Sequence, residues 1–153
     1  MQRSMKSALL LLVSGLALLG SGCTLYRSEM GEPAGSVTLH SPTLGNVTLN
    51  PTLCESGERE LFYGADFFGN QGITLRLIVE PTGAQSLRFF DAAHPLNPGT
   101  LFRRQDCSRF ELSLEHTNLL INEVRDLPVS LTFECRTASG ETATGHLVAA
   151  HCH

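Results

Sequence analysis

From Ser36 onward apolar side chains recur at every second position, and that period confines the chain to strands. Val37 and Leu39 alternate with polar neighbours, and Val47 and Leu49 repeat the pattern after the turn signal Leu44-Gly45-Asn46. In the stretch 72–80, Ile73, Leu75, Leu77 and Val79 fall on one face, with Thr74 and Arg76 on the other. Pro81-Thr82-Gly83 then turns the chain into Ser86–Phe90. Phe110, Leu112 and Leu114 alternate with Arg109, Glu111 and Ser113, and Val129, Leu131, Phe133 and Cys135 with Ser130, Thr132 and Glu134. Successive strand side chains point to opposite faces, so each segment offers one face to a core and one to water, as antiparallel strands do. The best helical candidate, Leu119–Leu127, is short. About seven or eight strands at spacings near 10 residues predict an all-β antiparallel β-sandwich. Glycines 57, 64, 69, 72, 83, 99, 140 and 145 are read as turn or bulge residues. No internal repeat is visible, and the length after the first 35 residues suits one domain with a core of its own.

Five cysteines are present, Cys23 and then Cys54, Cys107, Cys135 and Cys152. No Cys-x-x-C occurs, so neither a zinc ribbon nor a thioredoxin-like redox site is indicated. The last four read as two disulfides in an exported chain, with three pairings open. Residues 128–136 and 141–151 flank the turn signal Ser139-Gly140 and form a hairpin in this reading. Cys135 then lies beside the turn and Cys152 at the far end, more than ~20 Å away at ~3.3 Å per residue. A disulfide needs Cα atoms within about 7 Å. Cys135–Cys152 is therefore disfavoured, which leaves two pairings; of these, Cys107–Cys135 with Cys54–Cys152 is the expectation, since it would tie the last residues back to the first strands.

The export expectation comes from residues 1–23. Arg3 and Lys6 precede an apolar run from Ala8 to Leu19, broken only by Ser14 and Gly15, and the stretch ends in Gly20-Ser21-Gly22-Cys23. This is the layout of a signal peptide, and the run is short for a membrane span of ~20 apolar residues. The ending resembles the lipobox of bacterial lipoproteins, in which the cysteine becomes the acylated first residue. It departs from that pattern at Gly20, where the family carries Leu, Val or Ile; Leu19 sits one step earlier. The alternative is an ordinary secretory signal cut near Gly22, with Cys23 free or paired. The resemblance implies a lipoprotein signal peptide over 1–22, a lipidated, palmitate-bearing Cys23 with a flexible tether over 23–35, and a β-sandwich domain over 36–153. By the family's sorting rule, Thr24 after the cysteine implies the outer membrane. Several acyl chains make a stable anchor where one binds only marginally.

Charge narrows the partners. The chain carries 11 basic and 15 acidic residues, a formal net charge of −4. Loss of residues 1–22 would remove Arg3 and Lys6, leaving nine arginines, no lysine and a net charge of −6. No basic patch dominates, and Arg103-Arg104 is too small to be one. Nucleic acid is thus not an expected partner.

The densest set of chemically able side chains is at the end of the sequence. His146, His151 and His153 lie within eight residues, together with Cys152. On a strand, His151 and His153 would point to the same side, and two imidazoles with the terminal carboxylate suit Cu(II) or Zn(II). His146 has the opposite parity and would need a bend to join. The competing reading is a polar terminus fixed by its disulfide. His94 follows Asp91 in the loop 91–100, read as a turn, and Glu115 and His116 end a strand. No nucleophile elbow, His-Glu-x-x-His, P-loop or EF-hand spacing appears.

Beyond the signal, residues 36–153 resemble small lipoproteins of the myxobacterial type. The shared stretches are Cys54-Glu55-Ser56-Gly57, Gly64-Ala65-Asp66 and Cys152-His153. That resemblance implies no activity. Together these readings predict a non-catalytic envelope lipoprotein, held to the membrane through acylated Cys23 and serving a structural or partner-binding role with an unknown envelope component. The rivals are a periplasmic copper or zinc binder using His151 and His153, and an enzyme of unknown chemistry.

Overall fold

The computed structural model describes residues 32–69 and 71–153. Among them are twelve strands: β1 (Ala34–Ser41), β2 (Gly45–Leu49), β3 (Pro51–Ser56), β4 (Gly64–Gly69), β5 (Ile73–Val79), β6 (Gln85–Asp91), β7 (Thr100–Arg103), β8 (Cys107–Leu114), β9 (Leu120–Ile121), β10 (Val124–Arg125), β11 (Val129–Arg136) and β12 (Thr142–Ala149). The export-type stretch 1–22 and Cys23 lie outside the described residues.

The all-β expectation holds, and the count of seven or eight strands is corrected to twelve. The additional strands are those that lack a two-residue period. β4 buries four residues in a row, Gly64 to Phe67, and so shows no alternation. β3 begins at Pro51 and is largely polar. β7 has four residues, and β9 and β10 have two each. The short stretch Leu119–Leu127, the best of the helical candidates, contains the β9–β10 hairpin instead. Asn122 and Glu123 between these strands both have left-handed backbones, φ 50° and 69°. That is the conformation a two-residue hairpin turn requires, and it breaks a helix.

Ten of the strands form two antiparallel five-stranded sheets. The first has the order β2-β1-β12-β11-β8 and the second β3-β4-β5-β6-β7. Strands that neighbour one another in space are successive in the chain, the β9–β10 hairpin aside. One exception closes the order: β1 pairs with β12, in register from Ala34 opposite Val148 to His40 opposite Thr142. Gly35 has φ 103°, and a Cβ there would run into the backbone carbonyl of His146, so only glycine permits this approach. The chain changes sheet twice, at Asn50 and at the 3₁₀ turn Arg104–Asp106. The edge strands are β2 and β8 in one sheet and β3 and β7 in the other, and each runs directly into an edge of the opposite sheet.

The inward faces of both sheets belong to one continuous apolar cluster. Phe133, Leu131, Leu39 and Leu147 come from the first sheet, and Phe67, Phe89, Phe102, Leu75, Leu77 and Leu87 from the second. Phe89 and Phe102 meet edge to face with ring centroids 5.9 Å apart. Burying each such side chain stabilises the fold by roughly 1.5–3 kcal/mol. One polar link crosses this interior, a 2.6 Å hydrogen bond between the buried hydroxyls of Ser41 and Thr100.

Both disulfides pair as expected. Cys107 and Cys135 face each other across β8 and β11, beside a register shift at Glu134. Cys152, just past β12, is bonded to Cys54 on β3 with Cα atoms 4.8 Å apart, and so fastens the first sheet to the second. The closed loops span 98 residues for Cys54–Cys152 and 28 for Cys107–Cys135. Longer loops lose more entropy when cross-linked. Replacing both Cys54 and Cys152 by serine should therefore cost about 2–4 kcal/mol in denaturant unfolding of the oxidised protein, and more than replacing Cys107 and Cys135.

Candidate functional site

The start of β1, the end of β12, the start of β11 and the end of β8 meet at one end of the first sheet. The register places Ala34 opposite Val148, Val129 opposite Ala149 and Val129 opposite Leu114. The connection 115–128 projects from this end and carries the β9–β10 hairpin. Its stem is tied by Thr117 N–H donating to the Asp126 carbonyl and Asp126 N–H to the Leu119 carbonyl, both at 2.9 Å. Leu127 N–H donates to the carbonyl of Cys152 at 3.1 Å, joining the connection to the disulfide-bonded segment.

Asp126 is the centre of this region, with its side chain 1% exposed. Its Oδ2 accepts from His151 Nδ1 at 3.0 Å and from the Thr117 hydroxyl at 3.5 Å. A carboxylate only accepts, so Nδ1 of His151 is the donor in this pair. Among the described residues, three buried side-chain polar atoms have no hydrogen-bond partner: Asp126 Oδ1, His116 Nδ1 and His153 Nδ1. All three belong to this end of the fold. His116 precedes Thr117, and His153 follows Cys152. The Tyr63 ring lies 5.3 Å from that of His116, and its hydroxyl donates to the Leu114 carbonyl at 3.1 Å. Burial lifts the Tyr63 phenol above its ordinary pKa, and the charge of Glu115 adds to the effect.

The 3₁₀ turn Gly57–Glu60 braces the hairpin from the second sheet's side. Glu58 accepts from Arg125 three times: from its backbone N–H at 2.7 Å, from Nη2 at 2.9 Å and from Nε at 3.1 Å. The backbone and side-chain hydrogen bonds from Arg125 hold the Glu58 carboxyl below its ordinary pKa.

The structure distributes the predicted metal candidates differently from the strand reading. β12 ends at Ala149, so the strand parity invoked for His151 and His153 does not apply to residues 150–153. His151 is engaged by Asp126, and Cys152 is in a disulfide. His146 remains in β12, bonded through Nδ1 to the Thr132 hydroxyl at 2.9 Å on the exposed face. Among the described residues, no three His, Cys, Asp or Glu side chains stand together as a metal's ligands. Asp126 had no sequence signal, since its partner lies 25 residues away. His94 is in a turn, its Nδ1 2.6 Å from Asp91 Oδ2.

A second polar cluster covers the outer face of the second sheet. Arg76 donates from Nε and Nη2 to the two oxygens of Asp66, at 2.9 and 2.6 Å, and from Nη2 also to Glu60. Its guanidinium lies 4.6 Å from the centre of the Phe62 ring and 5.4 Å from that of Phe90. Burial pushes the Asp66 carboxyl up, and Arg76 pulls it partly back. The donors and acceptors of this cluster satisfy one another, so it works as a clasp over β4 and β5. An open cleft of about 540 Å³ beside β7 is lined by side chains such as Glu80, Gln85, Leu101 and Arg103, each exposed or half-exposed.

Because Glu58 has a lower pKa in the folded state than the ordinary 4.5, its contribution is present above pH 4.5 and is lost as pH falls through the folded value. Hydrogen-exchange protection at the Arg125 amide should accordingly drop on acidification below pH 4.5 in the parent protein. A Glu58→Gln variant should show the lower protection at every pH. No known protein-family model matches this chain, and no curated protein or solved structure does either.

Proposed function

We propose that the protein is a lipid-anchored accessory of the bacterial cell envelope, whose two sheets form a β-sandwich that binds a partner and does no catalysis. The observation that carries this reading is the state of the cysteines. The four within the described residues are consumed in two disulfides, the chemistry of an oxidising compartment. Cys23, which follows the export-type stretch, stands apart from both pairs. Thr24 supports the outer membrane as the destination, by resemblance to sorted lipoproteins. The carboxylate–histidine pair supports a structural role, since it ties the segment after β12 to the hairpin connection. The Thr117 hydroxyl, 3.5 Å from the carboxylate, adds to that tie. Changing Cys23 to Ala should move the protein from the membrane pellet to the soluble fraction; unchanged retention would refute the anchor.

One contact favours a second reading, a periplasmic copper- or zinc-binding lipoprotein. Histidines that ligate metals commonly donate their other ring nitrogen to a carboxylate, as His151 does to Asp126. This reading rests on His151 and His153 alone. It requires calorimetric titration with Cu(II) or Zn(II) to give stoichiometric, sub-micromolar binding that a His151→Ala/His153→Ala variant loses. Weak binding, unaltered in the variant, would leave the partner-binding reading in possession.

A further inference from the structure

We propose that the end of the domain bearing the β9–β10 hairpin is a membrane-docking face, on which Leu61, Leu119 and Leu120 rest against the bilayer that holds acylated Cys23. The inference depends on the lipid anchor argued above and adds the surface that meets the lipid.

The argument begins with where the chain enters the fold. β1 starts at Ala34, opposite Val148, so the segment from Cys23 arrives at the same end as the hairpin. Ten residues separate Cys23 from Ala34. Fully extended, they reach at most ~35 Å. An acylated Cys23 would therefore lie within ~35 Å of this end of the domain, the end at which its tether is attached.

That end is also where large apolar side chains are presented to solvent. Leu61 is 95% exposed, Leu120 63%, Leu119 49% and Tyr63 39%. Leu61 has a left-handed backbone, φ 64°, which side chains other than those of asparagine and aspartate rarely adopt. Its exposure is thus imposed by the turn that ends the 3₁₀ segment. Leu120 is opposite Arg125 in the hairpin, and Arg125 is held by Glu58 from the turn that Leu61 terminates. The leucines are therefore mounted on two elements clamped to each other. Of the other exposed large apolar side chains, Val148 is opposite Ala34 at this same end, while Leu53 is on β3, Leu101 on β7 and Leu96 in the β6–β7 loop.

Charge selects the kind of lipid surface. Glu58 is paired with Arg125, Glu115 and Glu123 add two acidic groups, and the 3₁₀ turn adds one basic residue, Arg59. An end without basic excess gains nothing from anionic lipid, so the contact is with a zwitterionic surface and should be insensitive to salt.

The chain contains no tryptophan, which makes the test direct. Full-length acylated protein carrying Leu120→Trp, and separately Ser139→Trp in the β11–β12 turn, would be reconstituted into phosphatidylcholine–phosphatidylethanolamine vesicles containing brominated chains. The expected result is a blue-shifted emission from the Leu120→Trp protein, quenched at least twofold by bromolipid and unchanged in high salt. The Ser139→Trp protein should show no quenching. Leu119→Trp serves as a second reporter if the first variant fails to fold. Proteins that float with the vesicles but show equal quenching, or none, at the two positions would overturn the docking face and leave the anchor intact. Failure to float at all would overturn both. A blue shift that appears without vesicles and rises with protein concentration would assign the leucines to a second copy of the chain, and would also overturn the proposal.

Discussion

Seven paired residues join the first strand of this protein to the last, and most of its architecture follows from that ladder. β1 and β12 are neighbours from Ala34–Val148 to His40–Thr142. Without them the remaining strands would be an open meander, with two terminal strands exposing unpaired backbone. With them, every strand of the first sheet except β2 and β8 has partners on both sides. The Cys54–Cys152 bond then locks the segment beyond β12 to the other sheet. The ladder is narrow where β1 meets β12 at Gly35, whose missing Cβ admits the His146 carbonyl.

The strands legible in the sequence are those with one wet and one dry face. β11 alternates burial through Val129, Leu131, Phe133 and Cys135, and β5 buries Ile73, Leu75 and Leu77 on its inner side. β4 escaped because Ala65, Asp66 and Phe67 are all buried, with Asp66 covered on the outer face by Arg76. A period of two disappears when both faces are covered. The hairpin at Leu120–Arg125 escaped for another reason. Its leucines project into solvent, and a turn of Asn122-Glu123 lacks the glycine that usually advertises a left-handed backbone.

Site residues were legible to the extent that they were local. Strand rise removed one of the three disulfide pairings, because Cys135 and Cys152 sit at opposite ends of one hairpin, and the structure decides between the other two. The histidines near the end of the sequence were visible as a cluster, yet their surroundings depend on a carboxylate from another segment. Asp126 meets His151 through the pairing of β11 with β12 and the hydrogen bond from the Leu127 amide to the Cys152 carbonyl. Nothing in the order of residues announces such a meeting.

The nested arrangement of the two disulfides bears on how the molecule is made. Cys54 emerges from synthesis 98 residues before the sulfur it needs, and Cys107 and Cys135 both appear in the interval. Oxidation in order of appearance would join Cys54 to Cys107 and strand Cys135 with Cys152. That product cannot be built into the native sheets, since Cys135 and Cys152 lie at opposite ends of the paired strands β11 and β12. The native bonds require either that thiols stay reduced until β12 has found β1, or that early bonds are reshuffled by thiol–disulfide exchange. Making this small domain is consequently a problem either of timing or of repair, because the sulfur that the first long loop needs comes just past the last strand.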